Sequence, residues 1–164
     1  MKTKLLLLLF AGAVMFTTSG CDDDDKLAVV DQAFENAFKA KYPNTSARWE
    51  RDDYPNRLGY YVADFRFEGK YDADAWFDME ANWVMTEIDL GIFNNLPEAV
   101  KAGFNRDYPN SRPDDVDRID RPLVGSIYVI EIDNRDINVF YTEDGTFLYE
   151  MNENIEHTPQ LPPR

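Results

Sequence analysis

The chain has little of what most enzymes use to move protons, bind zinc or form covalent intermediates. Its 164 residues include one cysteine, Cys21, and one histidine, His157, too few for a disulfide or a Cys/His zinc site. Glycine-rich phosphate loops are missing, and Ser46, Ser111 and Ser126 are not flanked as nucleophilic serines are. We therefore predict that the protein is not an enzyme and that it has no cofactor or metal site. A pair of carboxylates brought together by the fold is the one catalytic alternative left open.

Basic residues are scarce as well. The sequence has 17 lysines and arginines against 31 aspartates and glutamates, a formal net charge of -14. Such a surface repels the phosphate backbone of nucleic acids, so we expect no nucleic-acid partner. The same charge attracts cationic partners or calcium ions, although bulk charge does not select between them.

The chain also lacks an apolar run long enough to span a bilayer, which takes about 20 residues. Its longest apolar stretch, residues 5–16, follows two lysines and ends in small residues before Cys21. This arrangement resembles a bacterial lipoprotein signal peptide, here residues 1–20. The resemblance implies that Cys21 is acylated, becomes the first residue of the mature chain, and attaches the protein to a membrane.

Four consecutive aspartates, residues 22–25, follow the cysteine. Like charges in a row repel and extend, so residues 21–26 are expected to form a solvated tether. The run also resembles the export signal that sends lipoproteins of one Gram-negative group to the outer side of the outer membrane. We therefore expect an outer membrane lipoprotein, on the cell surface or on the periplasmic face.

Two parts of the chain are similar to each other. Residues 34–44 align with residues 100–110, with an identical phenylalanine and an identical Tyr-Pro-Asn triplet in each. Internal similarity of this kind predicts related structural units. We place unit 1 at residues 27–92 and unit 2 at residues 93–154, followed by a flexible, proline-bearing tail at residues 155–164 that carries the histidine.

The same order of patterns predicts the elements of each unit. Apolar residues recur at helical spacing near the start of each unit, and apolar and polar residues then alternate as in strands. A loop at Glu68-Gly69-Lys70 sets Phe67 opposite Tyr71 in the first hairpin, and residues 128–132 and 137–141 form the corresponding pair. The predicted fold class is α+β: a tandem repeat of a helix followed by three or four antiparallel strands, with the helices packed on one sheet face.

These motifs, taken in order, resemble the PepSY-like family, also described as β-lactamase-inhibitor-like proteins. The resemblance is carried by Leu96-Pro97-Glu98-Ala99-Val100, Phe104, Tyr108-Pro109-Asn110 and residues 138–146. Unit 1 keeps Tyr42-Pro43-Asn44 but has Glu80-Ala81-Asn82 where the family has a glycine turn. The resemblance implies an extracytoplasmic protein, and its inhibitor-like members imply an extracytoplasmic hydrolase as one kind of partner.

A second set of apolar side chains is predicted on the sheet face that the helices leave uncovered, rimmed by Asp64, Asp72, Asp74 and Asp78. This set consists of Tyr60, Val62, Trp76, Trp83, Met85, Ile127, Val129, Phe140, Phe147 and Tyr149. Exposed apolar patches rimmed by charge are typical of interaction sites, and Trp and Tyr are common anchors there. The alternative is that this face is ordinary core, because aromatic residues also favour strands for packing reasons.

The leading hypothesis is a lipid-anchored binding module of the cell envelope that engages an unknown protein or peptide through this aromatic face. One alternative is a small-ligand or calcium-binding lipoprotein. The acidic segments at residues 114–117 and 133–136 offer oxygen ligands, but neither has EF-hand spacing, which favours solvated loops. The other alternative is a structural envelope component that self-associates through the aromatic face.

Overall fold

The structure is a computed structural model that describes residues 28–52, 59–132 and 135–152. These residues form one antiparallel sheet of eight strands, in which spatial order follows chain order, together with two α-helices. The elements are α1 (Gln32–Lys41), β1 (Ala47–Asp52), β2 (Tyr60–Phe67), β3 (Tyr71–Phe77), β4 (Trp83–Asp89), α2 (Glu98–Asp107), β5 (Pro113–Arg121), β6 (Gly125–Ile132), β7 (Ile137–Thr142) and β8 (Phe147–Asn152). A short 3-10 turn, Phe93–Asn95, precedes α2.

The predicted fold class, an α+β tandem repeat of helix-and-strand units, is wrong. Strand β4 pairs with β5 from Thr86 opposite Asp120 to Asp89 opposite Asp117. The described chain is therefore mostly β, a single continuous sheet with two short helices. The sequence did not signal the joining pair, because β5 is rich in charged residues and its partner lies far away along the chain.

The placement of the boundaries between residues 27–92 and 93–154 stays a prediction. The signal peptide (1–20), the tether (21–26) and the tail (155–164) all lie outside the described residues. None of the helices that the structure describes is long and apolar enough to cross a membrane.

Strand register within the hairpins follows the alternation of apolar residues. Phe67 pairs with Tyr71 and Phe65 with Ala73 across the β2–β3 turn, as predicted. The β6–β7 pair repeats this, from Ile132 opposite Ile137 to residue 128 opposite residue 141. A one-residue slip would send each strand's apolar set to the other face, so burial of one face fixes the pairing.

The main hydrophobic core lies between the sheet and the two helices, on the face that we call the inner face. Phe34 and Phe38 of α1, with Val100 and Phe104 of α2, are buried there. The strands contribute Trp49, Ala63, Phe65, Ala73, Ala75, Phe77, Ile88, Val116, Tyr128, Ile130, Ile132, Val139 and Tyr141. Burying one such side chain is worth about 1.5–3 kcal/mol, so this core is the main source of stability.

Helix α2 packs unusually closely on the β7–β8 turn. A Cβ atom built on Gly103 would lie 2.4 Å from the carbonyl oxygen of Gly145, and one built on Gly145 would lie 2.1 Å from that of Ala99. Gly145 also has a φ of 80°, a conformation that favours glycine. Glycine is thus required at both positions for the helix to approach the turn.

A smaller cluster lies on the opposite face, which we call the outer face. Met85, Ile119, Val129 and Phe140 are buried in it, and the partly buried residues packed against them are Trp76, Ile127, Leu148, Tyr149 and Met151. All nine come from strands β3 to β8, so among the described residues no helix contributes to this cluster.

Candidate binding surface on the outer face of the sheet

Three of the predicted partner-binding residues are core residues of the outer face. Met85, Val129 and Phe140 have 0%, 2% and 1% of their surface exposed. The Phe140 ring stacks on that of Tyr149, with centroids 4.5 Å apart. In this conformation the three side chains cannot contact a partner, which places them with the alternative that part of this face is ordinary core.

Trp83 was expected on the outer face, and that placement is wrong. The register between β3 and β4 shifts between Trp76 and Phe77, so that Trp83 pairs with Phe77 and packs against the inner-face core. Its indole Nε1 donates to Thr86 Oγ1 at 2.8 Å. The Nζ atom of Lys41 lies 3.2 Å from the ring centroid, a cation–π contact with helix α1.

Phe147 is displaced to the inner face in the same way. The register between β7 and β8 shifts between Phe140 and Tyr141, and Phe147 pairs with Tyr141. The Phe147 ring lies 5.7 Å from the ring of Tyr141 and 6.3 Å from that of Tyr108. A β-bulge adds one residue to one strand, so simple alternation fails beyond it.

The other predicted residues, Tyr60, Val62, Trp76, Ile127 and Tyr149, are partly exposed. Trp76, Ile127 and Tyr149 each pack part of their surface against the outer-face cluster. Val62 and Trp76 also pair across β2 and β3, and both line an open depression. Among these residues, Trp76 both packs against the cluster and lines this depression, while Tyr60 is partly exposed near the start of β2.

A wide groove crosses the outer face over strands β1 to β5, and we call it the acidic groove. It has a volume of about 490 Å³ and is lined by Arg48, Glu50, Asp64, Asp72, Ala73, Asp74, Glu87, Asp89 and Asp117. Seven of these nine residues are carboxylates, and one is basic. Sequence analysis placed three of the seven at the rim of the aromatic face and Asp117 in a separate acidic segment. It missed the other three, because their proximity depends on strand pairing.

Strand register aligns like charges across the middle of this groove. Asp64 lies directly opposite Asp74, and Asp74 lies directly opposite Glu87. Like charges at directly opposed positions destabilise a sheet. Arg48 offsets part of the repulsion, because its guanidinium lies 3.0 Å from Glu50 Oε1 and 2.9 Å from Asp64 Oδ2.

Asp74 carries the consequence of this crowding. The pKa of its carboxyl group is raised to about 6, chiefly by burial and in addition by the nearby charges of Asp64, Glu87 and Glu50, while Arg48 opposes the increase. A carboxyl group with a pKa near 6 is partly protonated in mildly acidic surroundings. The groove's charge thus depends on pH and on whatever cation lies beside Asp74.

A second depression of about 300 Å³ adjoins the acidic groove. It is lined by Glu50, Arg51, Asp52, Val62, Asp74 and Trp76. Glu50 and Asp74 line both hollows. We call the acidic groove and this Trp76 depression together the binding cleft. The cleft therefore presents carboxylates beside an accessible indole ring.

One group of carboxylates has the geometry of a partial metal site. Oxygen atoms of Asp89, Asp115 and Asp117 lie within 4.8 Å of one another. Residues 115 and 117 belong to strand β5, not to a solvated loop, and pairing brings Asp117 opposite Asp89. Calcium takes six to eight oxygen ligands, so water would have to complete its coordination here.

Several residues singled out from sequence lie outside the described ranges. These are Cys21, the aspartates at 22–25, residues 133 and 134 of the second acidic segment, and His157. Their predicted roles stay predictions.

The comparison with family models identifies the class of protein. Residues 59–149 match the family described as "Putative beta-lactamase-inhibitor-like, PepSY-like". This confirms the resemblance seen in the sequence motifs, and the chain belongs to this family. The family is inhibitor-like and is not an enzyme family.

Three solved structures similar to this chain come from Bacteroides species. A BLIP-like protein from Bacteroides fragilis is 34% identical, with 84% of this chain and 96% of that chain covered and a TM-score of 0.70. A DUF2874 family protein from Bacteroides uniformis is 27% identical, with 80% and 95% covered and a TM-score of 0.66. A protein from Bacteroides eggerthii described as "putative periplasmic proteins" is 26% identical, with 76% and 90% covered and a TM-score of 0.63. No curated protein matches the sequence.

Proposed function

We propose that this protein is a non-enzymatic binding module of the cell envelope, and that it engages a protein or peptide through the binding cleft on the outer face of its sheet. The observation that carries the proposal is the cleft itself. Five adjacent strands form its floor, a partly exposed Trp76 stands at one side, and none of its lining residues belongs to a helix. Trp is among the commonest anchors of protein interfaces.

The cleft replaces the wider aromatic face as the candidate surface. The buried positions Met85, Val129 and Phe140 stabilise the sheet from the outer side, whereas Val62 and Trp76 are open beside it. An extracytoplasmic hydrolase is one kind of partner for this cleft, since the family is named for resemblance to β-lactamase inhibitors. No side chain in the cleft specifies that enzyme class by itself.

The proposed setting is extracytoplasmic, with Cys21 as a lipid attachment site at the outer membrane. The similarity to a protein described as periplasmic supports the compartment. The lipid itself is tested by metabolic labelling with a radioactive fatty acid. The native protein should incorporate label and Cys21→Ser should not; equal labelling of both would contradict lipid attachment at this residue.

Site-specific photo-cross-linking tests the binding surface. A photoreactive amino acid replaces Trp76 in one variant and Ala102, which is exposed on helix α2, in the other. Irradiation of intact cells should join one defined protein to position 76 and not to position 102. Cross-linking at 102 but not at 76, or at neither position, would contradict a role of the cleft in binding.

A calcium-binding function is the second candidate, and the grouping of Asp89, Asp115 and Asp117 favours it. Calcium should then raise the melting temperature of the native protein, and Asp117→Asn should remove the increase. Glu98→Gln, a change at an exposed helix position, is the matched control. An unchanged melting temperature over a calcium titration would rule this candidate out.

A further inference from the structure

The charges that line the binding cleft are strongly unbalanced. In the acidic groove, seven carboxylates from five strands accompany Arg48, whose guanidinium is already engaged by Glu50 and Asp64. Asp52 adds an eighth carboxylate in the Trp76 depression. Arg51 lies at the edge, in the Trp76 depression. A negatively charged ligand group would be repelled by these carboxylates. A neutral polar group would displace water from them without supplying a compensating charge.

The position of these charges adds to the argument from their number. Asp64, Asp74 and Glu87 lie at directly opposed positions on three adjacent strands, where like charges oppose folding. Nothing in the hydrophobic core requires acidic residues at these outward positions. Binding sites are the usual place for residues that cost a fold stability, and a cationic group over Asp74 would relieve the repulsion.

From this geometry we infer that the occupant of the binding cleft is a cationic polypeptide segment, with lysine or arginine side chains over the acidic groove and an apolar side chain against Trp76. The inference rests on the proposed function and deepens it by naming the chemistry of the partner. A cationic side chain beside Asp74 would lower the raised pKa of that carboxyl group, because a nearby cation favours its charged form.

The dimensions of the cleft fit an extended segment. Neighbouring strands lie about 4.8 Å apart, so the five strands under the acidic groove span about 20 Å. An extended chain covers about 3.3 Å per residue, so about six residues cross the groove. The indole of Trp76, in the adjoining depression, suits either an apolar side chain or a cation–π contact with arginine.

Fluorescence anisotropy with synthetic hexapeptides tests the inference on the purified protein. Four labelled peptides of equal length carry alternating lysine and leucine, lysine and glycine, glutamine and leucine, or glutamate and leucine. The lysine–leucine peptide should bind at least about tenfold more tightly than the glutamine–leucine peptide. Its affinity should fall as salt is raised, because added ions screen exposed charges. Equal binding of these two peptides would overturn the inference.

Variants assign the binding to the cleft. Asp74→Asn and Glu87→Gln should each weaken the binding of the lysine–leucine peptide by about tenfold, because each removes a carboxylate charge from the acidic groove. Asp74→Asn should do so without loss of melting temperature, because the charge of Asp74 is repelled by its neighbours. Glu143→Gln and Glu98→Gln remove carboxylates from exposed positions outside the cleft and should leave the affinity unchanged. If the cleft and control variants weaken binding equally, the peptide binds through bulk charge and the inference fails.

Failure of this inference can be told apart from failure of the proposed function. If position 76 cross-links a protein whose joined peptide, identified by mass spectrometry, is neutral or acidic, the cleft binds a partner but the cationic occupant is wrong. If calcium does not displace the bound lysine–leucine peptide, and the partner peptide cross-linked at position 76 contains lysine or arginine, the inference is supported. If calcium binds through Asp74 and no cationic peptide binds, the occupant is a metal ion and the inference is overturned.

Discussion

The negative charge of Asp74 destabilises the fold but favours the proposed binding of a cationic segment. Its carboxyl group is partly buried and lies opposite Asp64 on one strand and Glu87 on the other. The raised pKa means that the folded protein holds this proton more tightly than the unfolded chain does. The contribution of this carboxyl group to the free energy of unfolding is therefore most favourable at low pH, where the group is protonated in both the folded and the unfolded chain. That contribution is lost as the pH rises from about 4 to about 6.

Asp74→Asn should stabilise the protein at neutral pH. The amide keeps the shape of the carboxyl group without its charge, so the gain should be about 1–2 kcal/mol at pH 7 after solvent screening, and near zero at pH 4. Urea unfolding at the two pH values measures the difference, with Glu143→Gln as the control. A variant less stable than the native protein at pH 7 would contradict the repulsion described here.

Phe140 and Trp76 should respond differently to truncation. Phe140 is buried in the outer-face cluster, and removing a buried phenylalanine costs about 3–5 kcal/mol, so Phe140→Ala should lower the melting temperature strongly. Trp76→Ala removes a partly exposed ring and should cost much less. Thermal unfolding followed by circular dichroism gives both values. Equal losses would mean that Trp76 is also a core residue.

At the scale of elements, the hairpins show what sequence patterns contain. Alternation and a three-residue loop were enough to predict the pairing of Phe67 with Tyr71, because a buried face tolerates one register. The same alternation misplaced Trp83 and Phe147, since each lies beyond a register shift. A bulge changes the face of the sheet to which the following side chains point, and no residue pattern in these strands predicts it.

The turn that precedes Trp83 gives a prediction of its own. Ala81 has a φ of 61°, and its N–H donates to the Asp78 carbonyl, as the N–H of Gly145 does to Thr142 in the β7–β8 turn. A left-handed conformation costs a non-glycine residue about 1–2 kcal/mol. Glycine avoids this cost, but it loses more conformational entropy on folding than alanine does, which offsets part of the gain.

Ala81→Gly should therefore stabilise the protein by about 0.5–1 kcal/mol, measured as the free energy of unfolding in urea. The matched change in the other turn, Gly145→Ala, should destabilise it, because the new Cβ would meet the Ala99 carbonyl oxygen. A loss of stability in Ala81→Gly would show that the turn gains more from alanine than its conformation costs.

At the scale of the whole molecule, the pairing of β4 with β5 decides the architecture and creates the site. It joins Asp117 to Asp89 and closes one end of the acidic groove. Sequence reasoning identified Asp64, Asp72 and Asp74 as an acidic rim but could not assemble the groove. Its other carboxylates, Glu50 among them, come from strands whose spatial order is not encoded in local periodicity.

A continuous sheet should unfold as one unit. Because β4 and β5 share a ladder and the inner-face core includes residues of both helices, we expect a single transition in calorimetry. The calorimetric and van't Hoff enthalpies should agree, as in two-state unfolding. Two separate transitions would indicate that residues 27–92 and 93–154 unfold independently despite the shared sheet.

The central claim is that a partner binds the cleft on the outer face, and the most direct test is a dissociation constant. The partner identified by cross-linking is titrated against the native protein, Trp76→Ala and Ala102→Ser. We predict that Trp76→Ala weakens binding at least about tenfold, as expected for an interface anchor, and that Ala102→Ser has no effect. An unchanged dissociation constant in a folded Trp76→Ala variant would contradict the claim.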